Sequence, residues 1–140
     1  MKTLERNIFQ RLFGLCATKE PSDPQCWTVK DGKVQIYINK AIELKNPGSA
    51  IRLEGKQLSD RLLVCHGTDD KYYSFVNKCK HMGRRMDPVP DTQTIQCCSI
   101  GKSTYDYSGK NISGSAKASL DTFPVEKSTD MLIIPLNEQI

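Results

Sequence analysis

Two cysteine-centred segments constrain this chain more than any other feature of its sequence. Residues 79–81 read CKH, so a thiol and an imidazole lie two positions apart, and residues 97–101 read CCSIG. Only residues 82–96 separate the two segments. Loops at this spacing can close on one metal centre from opposite sides, and thiolate and imidazole are ligands that iron and zinc prefer. The sequence therefore predicts a fold that holds two loops side by side.

Short apolar segments with a period of two, each bounded by turn residues, recur along the chain. The pattern is clearest from Trp27 to Ile38, where Asp31-Gly32 predicts a hairpin with a type I′ turn. Further strands are predicted over 50–53, 62–65, 71–77, 104–107, 123–126 and 131–135. Many short strands are typical of an all-β antiparallel sandwich or small barrel. Residues 87–91, DPVPD, are predicted to be a stiff spacer between the two loops.

The first 26 residues differ from the rest. Apolar residues at helical spacing predict a short amphipathic helix over residues 3–15, followed by a loop. Residues 1–26 are thus interpreted as a helix-and-loop extension, and residues 27–140 as the β domain. Cys16 and Cys26 flank the loop, and a disulfide between them or a second metal clip is sterically possible. Two thiols are the default interpretation.

Composition excludes several classes of protein. A chain of 140 residues is one domain by length, and its net charge of +4 is dispersed, which does not favour nucleic-acid binding. No segment approaches 18 apolar residues, so no membrane span is predicted. The charged residues near Met1 argue against a signal peptide, and a cytoplasmic location is expected. Six cysteines in that setting favour metal ligands or buried thiols over disulfides.

The paired segments resemble the cluster-binding loops of Rieske iron–sulfur proteins, whose pattern is C-x-H, a spacer, and C-x-x-H-G. The likeness extends over about residues 38–136. It includes the aromatic strand that runs into Cys79, the glycine at Gly109, and residues 123–125, which read FPV. The resemblance implies a Rieske-like domain whose paired loops are residues 79–84 and 97–102.

The resemblance also implies a set of cluster ligands. In this family one iron of a [2Fe–2S] cluster takes two thiolates and the other takes two imidazoles. By that pattern Cys79 and Cys97 would hold the first iron and His81 the second. Ile100 stands where the second imidazole is expected, and a hydrocarbon cannot bind iron. Cys98 is a candidate substitute ligand, although its side chain is expected to point away from that of Cys97.

One further feature of some family members is missing. They carry a disulfide between the two loops, and the equivalent positions here are Arg84 and Ser99. The sequence therefore predicts two loops without that clamp.

Three functions stay open on these grounds. The chain can be a ferredoxin-like electron carrier with an altered [2Fe–2S] site, a cluster-free Rieske-fold subunit, or a mononuclear metal protein using the same side chains. The first two imply a redox partner protein or an oxidoreductase subunit as partner, and an accessory role is favoured over catalysis. A basic rim around the loops is a hypothesis for steering an acidic partner. Its residues are Lys80, Arg84, Arg85 and Lys102.

Overall fold

The computed structural model describes residues 16–80, 83–98, 103–114 and 118–136. They form three four-stranded antiparallel sheets, with strand orders β1-β2-β12-β11, β10-β5-β4-β3 and β6-β7-β8-β9. The strands are β1 (Trp27–Lys30), β2 (Lys33–Tyr37), β3 (Ala50–Leu53), β4 (Leu62–His66), β5 (Tyr72–Val76), β6 (Met86–Val89), β7 (Thr94–Cys97), β8 (Thr104–Asp106), β9 (Asn111–Ser113), β10 (Thr122–Phe123), β11 (Glu126–Lys127) and β12 (Met131–Pro135). The predicted all-β class is confirmed.

Helical structure in the described residues is limited to three short 3₁₀ turns, Pro24–Cys26, Ile42–Leu44 and Pro90–Thr92. None of these is long and apolar enough to cross a membrane. The amphipathic helix predicted over residues 3–15 lies outside the described residues.

Turn chemistry shapes the first sheet as the sequence predicts. Asp31 and Gly32 have φ values of +53° and +72°, as a type I′ turn requires, and they join β1 to β2. Strand β12 pairs with the other edge of β2. Alternate side chains of this sheet, including Ile36 and Ile134, pack against one face of the second sheet and form the larger core cluster.

The second sheet is the middle layer. Every residue of β4 is buried, because Val64 faces the first sheet and Leu63 faces the third. Burial on both faces explains why this strand is a continuous apolar run rather than an alternating one. The smaller core cluster, between the second and third sheets, includes Phe75 of β5, which leads directly towards the first loop.

The third sheet corrects one prediction. The segment 87–91 is not a spacer: residues 86–89 form β6, and Pro88 lies opposite Ile95 of β7. Proline is tolerated there because β6 is an edge strand. On one side β6 has no neighbouring strand in its sheet, so the N–H that Pro88 lacks costs no interstrand hydrogen bond on that side. Strand β9, over residues 111–113, was also not predicted; a register shift against β8 shortens it and weakens its sequence pattern.

Gly109 ties the third sheet to the segment that follows it. Its φ is +91°, and a Cβ at this position would lie 2.4 Å from the carbonyl oxygen of Leu120. Leu120 N–H donates to the Gly109 carbonyl at 2.7 Å, so the two backbones cannot separate without losing that bond. We expect Gly109→Ala to lower the free energy of unfolding by about 3 kcal/mol, from left-handed strain plus the clash.

The matched control is Gly32→Ala. Gly32 also has positive φ, but a Cβ there would meet nothing within 4 Å, so only conformational strain of about 1 kcal/mol is expected. Urea unfolding of both variants measures the difference. Equal losses of unfolding free energy in the two variants would show that the close approach to Leu120 does not contribute to the destabilisation.

A charged network joins the second and third sheets near the first loop. Arg85 donates to both carboxylate oxygens of Glu54 at 2.6 and 2.8 Å, and Arg52 donates to the same carboxylate at 2.9 Å. The hydrogen bonds from Arg85, with those from Arg52, hold the pKa of Glu54 at about 2, below its ordinary value of 4.5, against the opposing effect of burial.

This lowered pKa predicts an acid-dependent stability. A carboxyl group with a depressed folded-state pKa contributes fully above its unfolded value, so the contribution is present above about pH 4.5 and is lost as pH falls towards 2. Glu54→Gln should lower stability at neutral pH and flatten its decline over that window. Exposed Glu126 is the control, and Glu126→Gln should retain the wild-type profile in denaturant titrations.

Candidate metal centre

The first loop is closed at its neck by backbone hydrogen bonds. Strand β5 ends three residues before Cys79, whose N–H donates to the Arg84 carbonyl at 2.8 Å. Gly83 N–H donates back to the Cys79 carbonyl at 2.9 Å, and a φ of +69° at Gly83 lets the chain turn there. Cys79 is therefore held at the root of the loop, and only 2% of it is exposed.

The second loop has the same construction. Cys97 is the last residue of β7, it is 1% exposed, and its N–H donates to the Ser103 carbonyl at 2.8 Å. Strand β8 starts directly after Ser103. Met86, the first residue of β6 after the first loop, pairs with Cys97 across the sheet. This register places the two loop roots side by side.

Tyr105 lies between the two roots. It is fully buried, it packs in the same apolar cluster as Cys79 and Cys97, and its hydroxyl accepts the N–H of Lys80 at 2.9 Å. Burial raises its pKa, and the charges of Cys79 and Cys97 raise it further, against the lowering effect of the Lys80 N–H. Cys79, Cys97 and Tyr105 therefore share one buried cluster between the second and third sheets.

Comparison with known proteins decides the family. A family profile described as Rieske [2Fe-2S] domain matches residues 34–124, which is more than half of the chain. The chain belongs to the Rieske [2Fe–2S] family. No curated protein sequence gives a significant match.

Solved structures agree with this Rieske fold at low sequence identity. The plasma membrane Rieske protein PetC3 from Synechocystis PCC 6803 is 15% identical, with 61% of this chain and 84% of that chain covered and a TM-score of 0.51. The ferredoxin of carbazole 1,9a-dioxygenase from Nocardioides aromaticivorans IC177 is 15% identical, over 64% and 86%, with a TM-score of 0.55. A chain from the complex of reduced oxygenase and oxidized ferredoxin in carbazole 1,9a-dioxygenase is 17% identical, over 79% and 99%, with a TM-score of 0.62.

The donors of this Rieske domain fit a [2Fe–2S] cluster at one iron. Cys79 and Cys97 are buried at adjacent loop roots, and their thiols are the kind of donor that one iron of such a cluster takes. His81, Ile100 and Lys102 lie outside the described residues, so their predicted roles stay predictions. By the family pattern, the other iron would take one imidazole, from His81, while Ile100 offers no ligand atom.

Cys98 has a different partner from the one expected. Its sulfur forms a disulfide with Cys16, whose Cα lies 5.4 Å from that of Cys98. In this state Cys98 has no thiolate to offer a metal, and its predicted role as a substitute ligand does not fit the structure. The default interpretation of Cys16 as a thiol is also wrong. Cys26 is a buried thiol, as predicted, and burial is the main effect that raises its pKa to about 11.

The predicted basic rim is partly neutralised. Lys80 pairs with Asp121 at 3.1 Å, and Arg85 is bound by Glu54. A cavity of about 370 Å³ opens beside Cys79, and its charged lining is mixed in sign: Asp60, Lys78, Lys80 and Asp121. The surface next to the first loop therefore combines both charges, and the steering role of the rim stays a prediction.

His66 is excluded as a hidden ligand by its contacts. It is buried at the end of β4, with Nδ1 at 2.7 Å from the Leu44 carbonyl and Nε2 at 2.6 Å from the Asp70 carboxylate. Its ring also stacks on Tyr72 at 4.3 Å. Both nitrogens are thus used within the fold, so neither is available to replace the missing imidazole.

Two residues of the site were missed from the sequence. The sequence predicts Tyr105 only as part of a strand, and Asp87 only as part of the 87–91 spacer. The alternation of β8 could have suggested an inward Tyr105, because Thr104 and Asp106 flank it. No local pattern could have identified Asp87, since its partners Ala17 and Thr18 are 70 and 69 residues away.

Proposed function

We propose that this chain is a small Rieske-type electron-transfer protein with a non-standard ligand set. One observation supports this most: Cys79 and Cys97 are buried at adjacent loop roots, held there by the Met86–Cys97 pairing. In the proposed site these two thiolates hold one iron and His81 holds the other. A bound [2Fe–2S] cluster supplies reversible one-electron transfer.

The chain's own residues prepare this site in three ways. Burial of Cys79 and Cys97 keeps water away from the sulfurs. The backbone bonds at both loop necks hold the thiolates in place without a metal. Tyr105 fixes the start of the first loop by accepting the Lys80 N–H, which leaves its own hydroxyl hydrogen available to a nearby acceptor.

Ile100 makes the site unlike that of its family. A branched hydrocarbon leaves one ligand position to a group from outside the chain, such as water or a small thiol. Loss of one imidazole also removes one group whose proton is coupled to the electron. We therefore expect properties outside those of a two-histidine Rieske centre.

Anaerobic reconstitution tests the proposal directly. The purified full chain is incubated with ferrous iron and sulfide, desalted, and assayed for bound iron, acid-labile sulfide, visible absorbance and the EPR signal after reduction. We expect iron and sulfide in equal amounts, with a visible chromophore. A colourless protein that retains neither element would contradict the proposal.

A cluster-free Rieske-fold subunit is the second candidate, and Ile100 is the observation that favours it. Such a protein would remain colourless after reconstitution while keeping its fold. A third outcome, one zinc or iron bound without sulfide, would indicate a mononuclear site at Cys79, His81 and Cys97. Metal and sulfide analysis of the same sample separates the three.

The partner proposed for the chain is a redox protein or an oxidoreductase subunit. One similar structure is a complex between an oxygenase and a ferredoxin, and that arrangement supports a carrier or accessory role here. The chain is then not itself the catalyst. Arg84 and Lys102 remain the proposed contact residues, since Lys80 is paired with Asp121 and Arg85 with Glu54.

A further inference from the structure

Residues 16–20, called here the N-terminal strap, bridge two sheets. On the second sheet, Arg52 of edge strand β3 donates its N–H to the Lys19 carbonyl at 3.0 Å and its Nε–H to the Thr18 carbonyl at 3.2 Å. On the third sheet, the carboxylate of Asp87 accepts the N–H groups of Ala17 and Thr18 at 2.7 and 2.8 Å. The strap thus covers two sheet edges that would otherwise be open.

A disulfide joins this strap to the root of the second loop. Cys16 begins the strap, and Cys98 directly follows Cys97. Cys98 N–H also donates to the Arg85 carbonyl at 3.0 Å, and the residue is fully buried. The bond therefore restrains the residue next to Cys97, at a place different from the inter-loop disulfide of some family members.

We propose that the Cys16–Cys98 disulfide is a redox-operated latch that opens under a dithiol reductant and loosens both the strap and the root of the second loop. The attack occurs at Cys16, which is half-buried, whereas the Cys98 sulfur is shielded. The location of the bond, between an edge-covering strap and a residue next to Cys97, couples the oxidation state of the surroundings to the geometry of the loop.

The exchange balances in two steps. A thiolate of the reductant attacks Cys16 Sγ, the S–S bond breaks, and Cys98 leaves and takes up a proton. The second thiol of the reductant then attacks the reductant sulfur that is bonded to Cys16 in the mixed disulfide. Cys16 is released as a thiol, and the reductant departs with an internal disulfide. Two electrons and two protons pass to the protein, and the reductant is oxidised.

Opening has a local rather than a global effect. The two hydrogen bonds to Asp87 and the two from Arg52 can still hold the strap. The disulfide no longer closes the covalent loop between Cys16 and Cys98, which are 82 positions apart. The strap then exchanges between bound and detached states, and in the detached state Asp87 loses its hydrogen bonds from Ala17 and Thr18. Because Asp87 belongs to β6, which pairs with β7, this change reaches Cys97 through the sheet as well as through Cys98.

The first experiment follows the bond and the backbone in the full-length chain, purified without reductant and metal-free. Peptide mapping after alkylation under denaturing conditions should yield a Cys16–Cys98 linked peptide. Reduction by a thioredoxin-type dithiol under native conditions should then speed amide hydrogen exchange at Ala17, Thr18 and Cys98 by about tenfold or more, with Val64 in the middle sheet unchanged.

The second experiment removes the latch by substitution. In the metal-free double variant Cys16→Ser, Cys98→Ser, native alkylation of Cys97 by iodoacetamide should be about tenfold faster than in the oxidised wild type. Buried Cys65 is the internal control and should react no faster, and Cys26→Ser is the matched variant that should leave Cys97 at the wild-type rate. Both experiments need no cluster, so they succeed or fail independently of the electron-transfer proposal.

Three results would overturn the latch. One is the absence of the linked peptide in oxidised protein, and another is reduction of the disulfide only after global unfolding. The third is a stoichiometric metal held by the sulfurs of Cys16 and Cys98 with Asp87, whose ligand atoms all lie within 4.8 Å of one another. If the double variant does not fold, amide hydrogen exchange in the reduced wild-type protein is the measurement that tests the latch.

Discussion

Cys97→Ser is expected to abolish cluster assembly, and Cys79→Ser should cause the same complete loss. Each cysteine supplies one of the two thiolates proposed for a single iron, and a serine hydroxyl is a hard, weakly acidic group that does not replace a thiolate. After anaerobic reconstitution and desalting, bound iron and acid-labile sulfide should fall to the level of a blank protein, and the visible absorbance should disappear.

Cys65→Ser is the matched control for these variants. Cys65 is fully buried in the same apolar cluster as Cys79 and Cys97, but it lies in the middle of β4, outside both loops. The same chemical change there should lower stability while leaving iron and sulfide content at the wild-type level. Wild-type iron content in Cys97→Ser, or equal loss in Cys65→Ser, would contradict the assignment of ligands.

Ile100→His is expected to create a two-histidine Rieske centre. The substitution supplies the imidazole that the C-x-x-H-G pattern has and this chain lacks. After reconstitution we expect the EPR signal of a Cys₂His₂ cluster and a reduction potential within the range of about −150 to +300 mV that such centres show. The parent chain should give a different signal and a potential outside that range.

Ile112→His provides the control for an added imidazole. Ile112 is half-exposed on β9, which β8 separates from Cys97 on β7, so a histidine there should change neither the EPR signal nor the potential. Two results are informative about the parent chain. If Ile100→His acquires a cluster and the parent does not, the parent is a cluster-free Rieske protein. If neither the parent nor Ile100→His acquires a cluster, the loops do not form a cluster site.

Local signals predicted much of the fold. Asp31-Gly32 predicted its hairpin because few residue pairs tolerate two consecutive positive φ values. The strands over 50–53 and 62–65 were predicted because alternation and continuous apolarity are properties of a strand's own residues. Strand β6 was missed because Pro88 argues against a strand, and only an edge position removes that objection.

The same distinction holds for the site. The CKH and CCSIG segments predict Cys79 and Cys97 as ligands because ligand spacing is encoded in neighbouring residues. The sequence does not predict that Tyr105 packs in the same buried cluster as these cysteines, since that packing depends on which face of β8 turns inward.

The family, the two cysteines proposed as cluster ligands and the isoleucine that departs from the pattern can all be found in the sequence without a structure. Ligand identity and short spacings are local properties that the chain carries without folding. Folding is needed to show that Cys98 forms a disulfide with Cys16, and that Asp87 holds the strap which carries Cys16. The physical reason is sequence separation: these contacts join residues about seventy to eighty positions apart, and packing of the sheets alone brings them together.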